Sequence, residues 1–157
     1  MAAVNGPAAT VVSGELGALA EFEAELSARH VMRWRIPETD FVAHSARVEE
    51  LAGPLAAELA SIRPTAGQVR FFSTALGRWM DGAELDAGYW YDNVRQTVRF
   101  EDAIRTLTQD GYRTFVEVSP HPTLEAAVED TIEDTAVGGT GPAVLHGAGP
   151  VDGRDGA

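Results

Sequence analysis

The apolar residues in the first third of the chain are spaced as in two short strands followed by a helix. Residues 2–12 are mostly apolar on either side of Asn5-Gly6-Pro7, and this turn-forming tripeptide predicts a hairpin or a strand-loop-strand. Over residues 15–30 the apolar positions recur at spacings of three and four, with acidic residues between them: Leu16, Leu19, Phe22 and Leu26. This spacing predicts an amphipathic helix.

A strand is predicted next, because apolar and basic residues alternate. Met32, Trp34 and Ile36 alternate with two arginines, which places the three apolar side chains on one face of an extended chain. Pro37 ends this strand, since proline has no N–H to donate to a neighbouring strand.

A second helix is predicted after Ser45, which is a suitable N-cap because its hydroxyl can accept a hydrogen bond from a free N–H of the first turn. The apolar positions again recur at helical spacing: Val48, Leu51, Leu55, Leu59 and Ile62. Pro54 predicts a kink in this helix, because its ring removes one backbone donor.

Helices and strands continue to alternate in the second half of the chain. Residues 69–74 and 77–80 predict two strands or a hairpin, followed by a turn at Asp81-Gly82. Apolar residues at helical spacing then predict helices around residues 100–107 and 124–132.

A strand at residues 114–118 separates these two helices, and Gly111 closes the first of them. Such alternation of helices and strands is typical of an α/β fold. Residues 136–157 are rich in Gly, Ala and Pro and bury too little apolar surface to offset the entropy of ordering. We therefore expect this tail to be disordered.

Composition and charge exclude several classes of function. The net charge of −12 repels a phosphate backbone, and the arginines are scattered, which argues against nucleic-acid binding. The chain has no cysteine, which excludes a disulfide framework, and no apolar run reaches the roughly 18 residues that span a membrane. The first residues show no secretory signal. We expect a soluble, cytoplasmic protein.

Five ordered blocks of the sequence resemble the second half of the acyltransferase domains of modular type I polyketide synthases. The resemblance extends from about residue 2 to residue 132. The blocks are Val4-Asn5-Gly6-Pro7, Val42-Ala43-His44-Ser45, Phe71-Phe72-Ser73-Thr74, Gly88-Tyr89-Trp90-Tyr91 with the residues up to Phe100, and Val116-Glu117-Val118-Ser119-Pro120-His121-Pro122.

The resemblance implies a fold of two subdomains. The family inserts a ferredoxin-like small subdomain into a larger α/β-hydrolase-like subdomain. We expect residues 1–68 to form the small subdomain and residues 69–135 to form the C-terminal part of the large one, with residues 136–157 as the tail.

The resemblance also implies an acyl-transfer reaction. In the family an acyl group passes from coenzyme A to an active-site serine, and then to the phosphopantetheine thiol of an acyl carrier protein. His44 matches the catalytic histidine, which suits the task because imidazole accepts a proton from serine near neutral pH. A helix that begins just after His44 favours the neutral imidazole. Asn93 matches the residue whose backbone carbonyl orients the ring. No cofactor is implied.

The residues just before the histidine imply the substrate. In the family they line the pocket for the substituent of the extender unit, and here they are Phe41, Val42 and Ala43. They resemble the pattern of methylmalonyl-specific domains more than that of malonyl-specific ones. A single methyl group is worth only about 1 to 3 kcal/mol in such a pocket, so a larger substituent stays open. The other interpretation is that Phe41 and Val42 only pack between the subdomains.

The chain departs from the family in one respect that bears on activity. It contains no Gly-x-Ser-x-Gly segment, the turn that exposes the nucleophilic serine. We therefore expect the chain to act with the remainder of the acyltransferase domain. The alternative is a non-catalytic ferredoxin-like interaction module in which His44 is incidental. Asp40 and His44 share a loop without a third ligand at a recognisable spacing, so we predict no metal site.

Overall fold

The computed structural model describes residues 1–36, 43–135 and, for the backbone alone, 143–146. The strands are β1 (Ala3–Gly6), β2 (Ala9–Val11), β3 (Phe71–Ser73), β4 (Arg78–Met80), β5 (Val98–Arg99), β6 (Thr114–Glu117) and β7 (Ala143–His146). The α-helices are α1 (Leu16–Ala28), α2 (Ala52–Glu58), α3 (Ala87–Arg95), α4 (Phe100–Gln109) and α5 (Glu125–Thr135), and short 3₁₀ helices lie at Ala46–Leu51, Leu59–Ser61 and Gly82–Glu84. This mixture confirms the predicted α/β class.

The described strands form three small sheets. β1 lies between β2, to which it is antiparallel, and β5, to which it is parallel. β3 and β4 form an antiparallel hairpin, and β6 pairs with β7 in parallel. The hairpins β1–β2 and β3–β4 confirm two of the predicted strand pairs. Because β1 and β5 fall on opposite sides of the predicted subdomain boundary, their pairing joins the two regions; the division itself stays a prediction.

The core lies between α4, α5 and β1, which contact one another. Ile104, Val128 and Ile132 are buried here, and Phe100 and Phe115 pack against them. Phe100, Ile104, Val128 and Ile132 are among the residues whose spacing predicted the two helices, so α4 and α5 confirm that prediction.

Gly6 permits the close approach of β1 to α5. A Cβ atom at Gly6 would lie 3.1 Å from the carbonyl oxygen of Ala127 and 3.4 Å from Thr131 Oγ1. Such a contact is tighter than side chains normally make, so the backbone of β1 can lie against the helix only because residue 6 has no side chain.

The strand predicted at residues 32–36 is wrong. Residues 31–36 belong to no sheet, and Met32 and Trp34 are 86% and 78% exposed. A strand needs a neighbour that accepts and donates its backbone hydrogen bonds, and none of the described strands lies beside this segment. Alternation of apolar residues is therefore not sufficient to form a strand in this segment.

The second predicted helix forms in three pieces. The 3₁₀ helix Ala46–Leu51 is capped by Ser45, whose hydroxyl accepts a hydrogen bond from the Arg47 N–H, and it continues into α2 and then into Leu59–Ser61. Pro54 falls in the first turn of α2, where a missing N–H costs least. The helix changes from 3₁₀ to α at Ala52, two residues before Pro54, and the kink at Pro54 stays a prediction.

Three further elements differ from the sequence prediction. α3 and β5 were not predicted, although Asp86 caps α3 by accepting a hydrogen bond of 2.9 Å from the Tyr89 N–H. The expectation of disorder is wrong for Ala143–His146, which form β7 beside β6. Backbone pairing with β6 compensates for the small number of large apolar residues in the tail. The rest of residues 136–157 lies outside the described residues.

Candidate active site

His44 is held by two hydrogen bonds to the C-terminal end of α3. Its backbone N–H donates to the carbonyl oxygen of Val94 at 2.8 Å, and its ring Nδ1 lies 2.7 Å from the carbonyl oxygen of Gln96. A carbonyl oxygen only accepts hydrogen bonds, so Nδ1 carries the proton in this contact. The neutral ring then has its lone pair on Nε2, as a general base requires.

The backbone of His44 is left-handed, with φ 56°. This conformation is uncommon for a residue with a side chain and costs about 1 kcal/mol or more relative to glycine. His44 nevertheless adopts it, because both its N–H and its ring are tied to α3. A strained non-glycine residue held from two sides is typical of a functional position.

The residues on either side of His44 fix the loop. Before it, the hydroxyl of Ser13 donates to the carbonyl oxygen of Ala43 at 3.1 Å. After it, Ser45 caps the 3₁₀ helix, and Val48, which is 1% exposed, anchors that helix in the interior. The backbone on both sides of His44 is therefore held in place.

α3 is anchored in turn on the β3–β4 hairpin. The Tyr89 hydroxyl donates to Ser73 Oγ at 3.2 Å, and both residues are buried. Ser73 Oγ also accepts a hydrogen bond from the Leu76 N–H, while the ring of Phe71 packs edge-on against Tyr89. This contact between hairpin and helix sets the position of the carbonyls that hold His44.

The prediction that the Asn93 carbonyl orients the histidine is wrong. Gln96 supplies that carbonyl, and the Asn93 side chain instead lies 3.5 Å from Tyr89 Oη, on the side of α3 that faces the hairpin. Gln96 is the C-cap of α3, and its extended backbone, with φ −76° and ψ 158°, leaves the helix there. Predicting the end of α3 at Arg95 would have pointed to Gln96.

The predicted substrate-binding residues are only partly described. Phe41 and Val42 lie outside the described residues. Ala43 is half-buried, directly precedes His44, and has its carbonyl bonded to Ser13. The structure therefore places one of the three residues beside the histidine.

The segment 117–124 is organised by the carboxylate of Glu117. It accepts hydrogen bonds from the Thr123 N–H at 2.9 Å and the Leu124 N–H at 3.1 Å, and from the hydroxyls of Ser119 and Thr123. The hydrogen bond from the Thr123 N–H, helped by the others and opposed by desolvation, lowers the pKa of Glu117 to about 2. Glu117 therefore fixes the turn that leads into α5.

A surface cavity of about 440 Å³ lies at the opposite end of α3 from Gln96. It is lined by Leu76, Arg78, Met80, Glu84, Asp86, Gly88, Tyr89 and Asp92. Arg78 and Glu84 form an ion pair of 2.7 Å within it. Its lining residues do not include His44 or Gln96.

Comparison with known proteins identifies the family. The family described as "Acyl transferase domain" matches residues 1–148. The chain belongs to this family. The acyltransferase match extends beyond α5 and includes β7. No group of three or more His, Cys, Asp or Glu residues that could hold a metal ion occurs in the described part of this acyltransferase chain. Within the same residues, no helix is long and apolar enough to cross a membrane.

The chain spans only a small part of the length of the curated relatives it matches, which are much larger synthases. It is 48% identical over 153 residues to mycoketide-CoA synthase of Mycobacterium tuberculosis, covering 98% of this chain and 4% of that synthase. It is 44% identical over 155 residues to erythronolide synthase EryA2 of Saccharopolyspora erythraea, covering 99% and 4%. The acyltransferase domain from module 8 of the salinomycin polyketide synthase superposes with a TM-score of 0.87 at 43% identity, covering 94% of this chain and 34% of that one. The resemblance to polyketide synthase acyltransferases is confirmed.

Proposed function

We propose that this chain supplies the histidine base of a polyketide synthase acyltransferase that moves an extender acyl unit from coenzyme A to an acyl carrier protein. The observation that carries the proposal is the 2.7 Å contact between His44 Nδ1 and the carbonyl oxygen of Gln96. This contact leaves Nε2 as the basic nitrogen, which is the arrangement that a Ser-His pair requires. Membership of the acyl transferase family supports the same reaction.

The proposed reaction has two half-reactions. A serine on the remainder of the domain attacks the thioester carbonyl of the acyl-CoA, and His44 Nε2 takes the hydroxyl proton. The coenzyme A thiolate leaves and receives that proton from the imidazolium. In the second half, His44 takes the proton of the phosphopantetheine thiol as its sulfur attacks the acyl-serine, and then returns it to the serine oxygen. The Gln96 carbonyl stabilises the imidazolium through Nδ1–H in both halves.

The extender unit in this proposal is methylmalonyl. The assignment rests on the sequence pattern of Phe41, Val42 and Ala43, which precede the histidine. The reaction as proposed needs no cofactor beyond the phosphopantetheine of the carrier protein. A cytoplasmic location goes with the proposal.

A reconstituted pair tests this function. The chain is mixed with a separately produced upstream segment that carries the serine, and the pair is incubated with methylmalonyl-CoA or malonyl-CoA. Intact-mass spectrometry then measures acylation of the serine segment. We expect acylation that requires this chain, is stronger with methylmalonyl-CoA, and is lost in His44→Ala.

His30→Ala is the matched control, because His30 also has φ 56° but lies at the end of α1. It should acylate like the unaltered chain. A folded and associated pair that shows no acylation would contradict the catalytic proposal and favour a non-catalytic interaction module.

A further inference from the structure

Arg95 lies between the two residues whose carbonyls hold His44. Val94 accepts the hydrogen bond of the His44 N–H, and Gln96 accepts that of the ring. The guanidinium of Arg95 reaches Glu49 Oε1 through Nη2 at 2.7 Å and Nε at 3.2 Å. Three consecutive residues therefore contact the segment from His44 to Glu49.

The position of the Gln96 carbonyl depends on how the chain leaves α3. Arg95 is the last residue of the helix and Gln96 is already extended, so the intrahelical hydrogen bonds that stabilise the interior of a helix are incomplete at this point. Helix ends fray unless other contacts hold them. The contact between Arg95 and Glu49 is made by the residue next to Gln96.

Glu49 is fixed by the element that follows the histidine. It lies in the 3₁₀ helix Ala46–Leu51, one residue after the buried Val48. The Arg95 side chain is 30% exposed and that of Glu49 is 60% exposed, so solvent screens the pair and its effect is modest. A small displacement nevertheless matters, because the ring contact is a single hydrogen bond.

We propose that Arg95 and Glu49 are positioning residues for His44. Their ion pair holds the C-terminal end of α3 against the 3₁₀ helix and thereby keeps the Gln96 carbonyl within reach of Nδ1. The ion pair thereby stabilises the tautomer of His44 that carries its proton on Nδ1. The importance of the pair for catalysis rests on the proposed function, whereas its effect on the ring does not.

The ring nitrogens of His44 provide the direct test, in the chain itself. Nitrogen-15 NMR measures the ratio of the Nδ1–H to the Nε2–H tautomer, and thermal unfolding is followed in parallel. Arg95→Met and Glu49→Gln should each lower this ratio about two- to fivefold, the range expected for losing an exposed ion pair. The exchanged pair, Arg95→Glu with Glu49→Arg, should restore it.

Arg47→Met is the matched control. Arg47 lies in the same 3₁₀ helix, but its ion pair of 3.0 Å is with Glu15, the residue before α1, and not with Arg95. It should leave the tautomer ratio unchanged. An unchanged ratio in Glu49→Gln, or an equal change in Arg47→Met, would overturn the proposal. If the Arg95→Met variant does not fold, the Glu49→Gln variant alone tests the proposal. It is expected to fold, since it alters one exposed side chain.

The reconstituted acylation reaction separates this inference from the proposed function. If the proposed function and the positioning role are both correct, Glu49→Gln lowers kcat about two- to fivefold and leaves KM unchanged. If the unaltered pair does not acylate while the tautomer ratio still responds to Arg95 and Glu49, the proposed function fails and the positioning contact stands. If acylation proceeds and the ratio does not respond, only the positioning role is overturned.

Discussion

His44 and Gln96 are 52 residues apart in the sequence, yet the ring Nδ1 of the one lies 2.7 Å from the carbonyl oxygen of the other. The contact joins the loop before the Ala46–Leu51 helix to the end of α3. It fixes the tautomer of the histidine, whose backbone is left-handed with φ 56°.

The left-handed backbone of His44 predicts an unusual order of stability. His44→Gly should be more stable to urea unfolding than His44→Ala by about 1 kcal/mol, because glycine adopts positive φ without strain. His30, with the same φ of 56°, should show the same order in its two variants. Equal stabilities of the glycine and alanine variants at position 44 would show that the backbone of residue 44 is not strained.

The buried hydroxyl of Tyr89 predicts a loss of stability on its removal. Tyr89→Phe deletes the hydrogen bond to Ser73 Oγ and should lower the free energy of unfolding by about 1 kcal/mol. Tyr112→Phe is the control, because Tyr112 is 37% exposed and its hydroxyl contacts the exposed Arg70. It should change stability by less than about 0.5 kcal/mol. A loss of the same size in both variants would contradict the anchoring role of Tyr89.

The lowered pKa of Glu117 predicts a loss of stability at acid pH. Its pKa in the folded chain is about 2, below the ordinary value of 4.5. Its carboxylate therefore stabilises the fold fully above about pH 5.5, and this stabilisation decreases as the pH falls through 4.5 towards 2. The stability difference between the unaltered chain and Glu117→Gln should shrink over that interval in urea titrations.

Glu129→Gln controls for the general effect of losing one negative charge, since Glu129 is exposed on α5. A difference for Glu117→Gln that stays constant from pH 6 to pH 3 would show that its carboxylate is not held as described.

The different surroundings of Gly6 and Gly17 predict opposite effects of an alanine substitution on stability. Gly6→Ala should destabilise the fold by about 1 to 3 kcal/mol, because its Cβ would lie 3.1 Å from the Ala127 carbonyl oxygen. Gly17→Ala, in α1 with nothing within 4 Å, should raise stability by up to about 0.5 kcal/mol through helix propensity. Thermal unfolding of both variants checks the signs. Tolerance of alanine at Gly6 would mean that β1 does not lie so close to α5.

The sequence predicted those elements whose local pattern agrees with their packing. α4 and α5 have apolar residues at helical spacing, and these residues form the core. The alternation at residues 32–36 gave the wrong result, because a strand depends on a neighbour that the local pattern does not specify. β5, with two residues, is too short to show any periodicity.

The same limit applies to the site. The assignment of His44 as the base rests on the block around it, because that motif is local, and it stays a prediction. The acceptor of its ring was assigned to Asn93 and is Gln96, because the acceptor is a backbone carbonyl, which any residue can supply. Only the end of α3 decides which carbonyl is available, and the sequence pattern did not locate that end.

The proposed role of His44 as the base is tested by the initial rate of serine acylation. The rate is measured by quenched-flow mass spectrometry in the reconstituted pair with saturating acyl-CoA. We predict that His44→Ala lowers this rate at least about a hundredfold, as loss of a general base does, while His30→Ala leaves it within about twofold. A His44→Ala rate within tenfold of the unaltered pair would show that His44 is not the base.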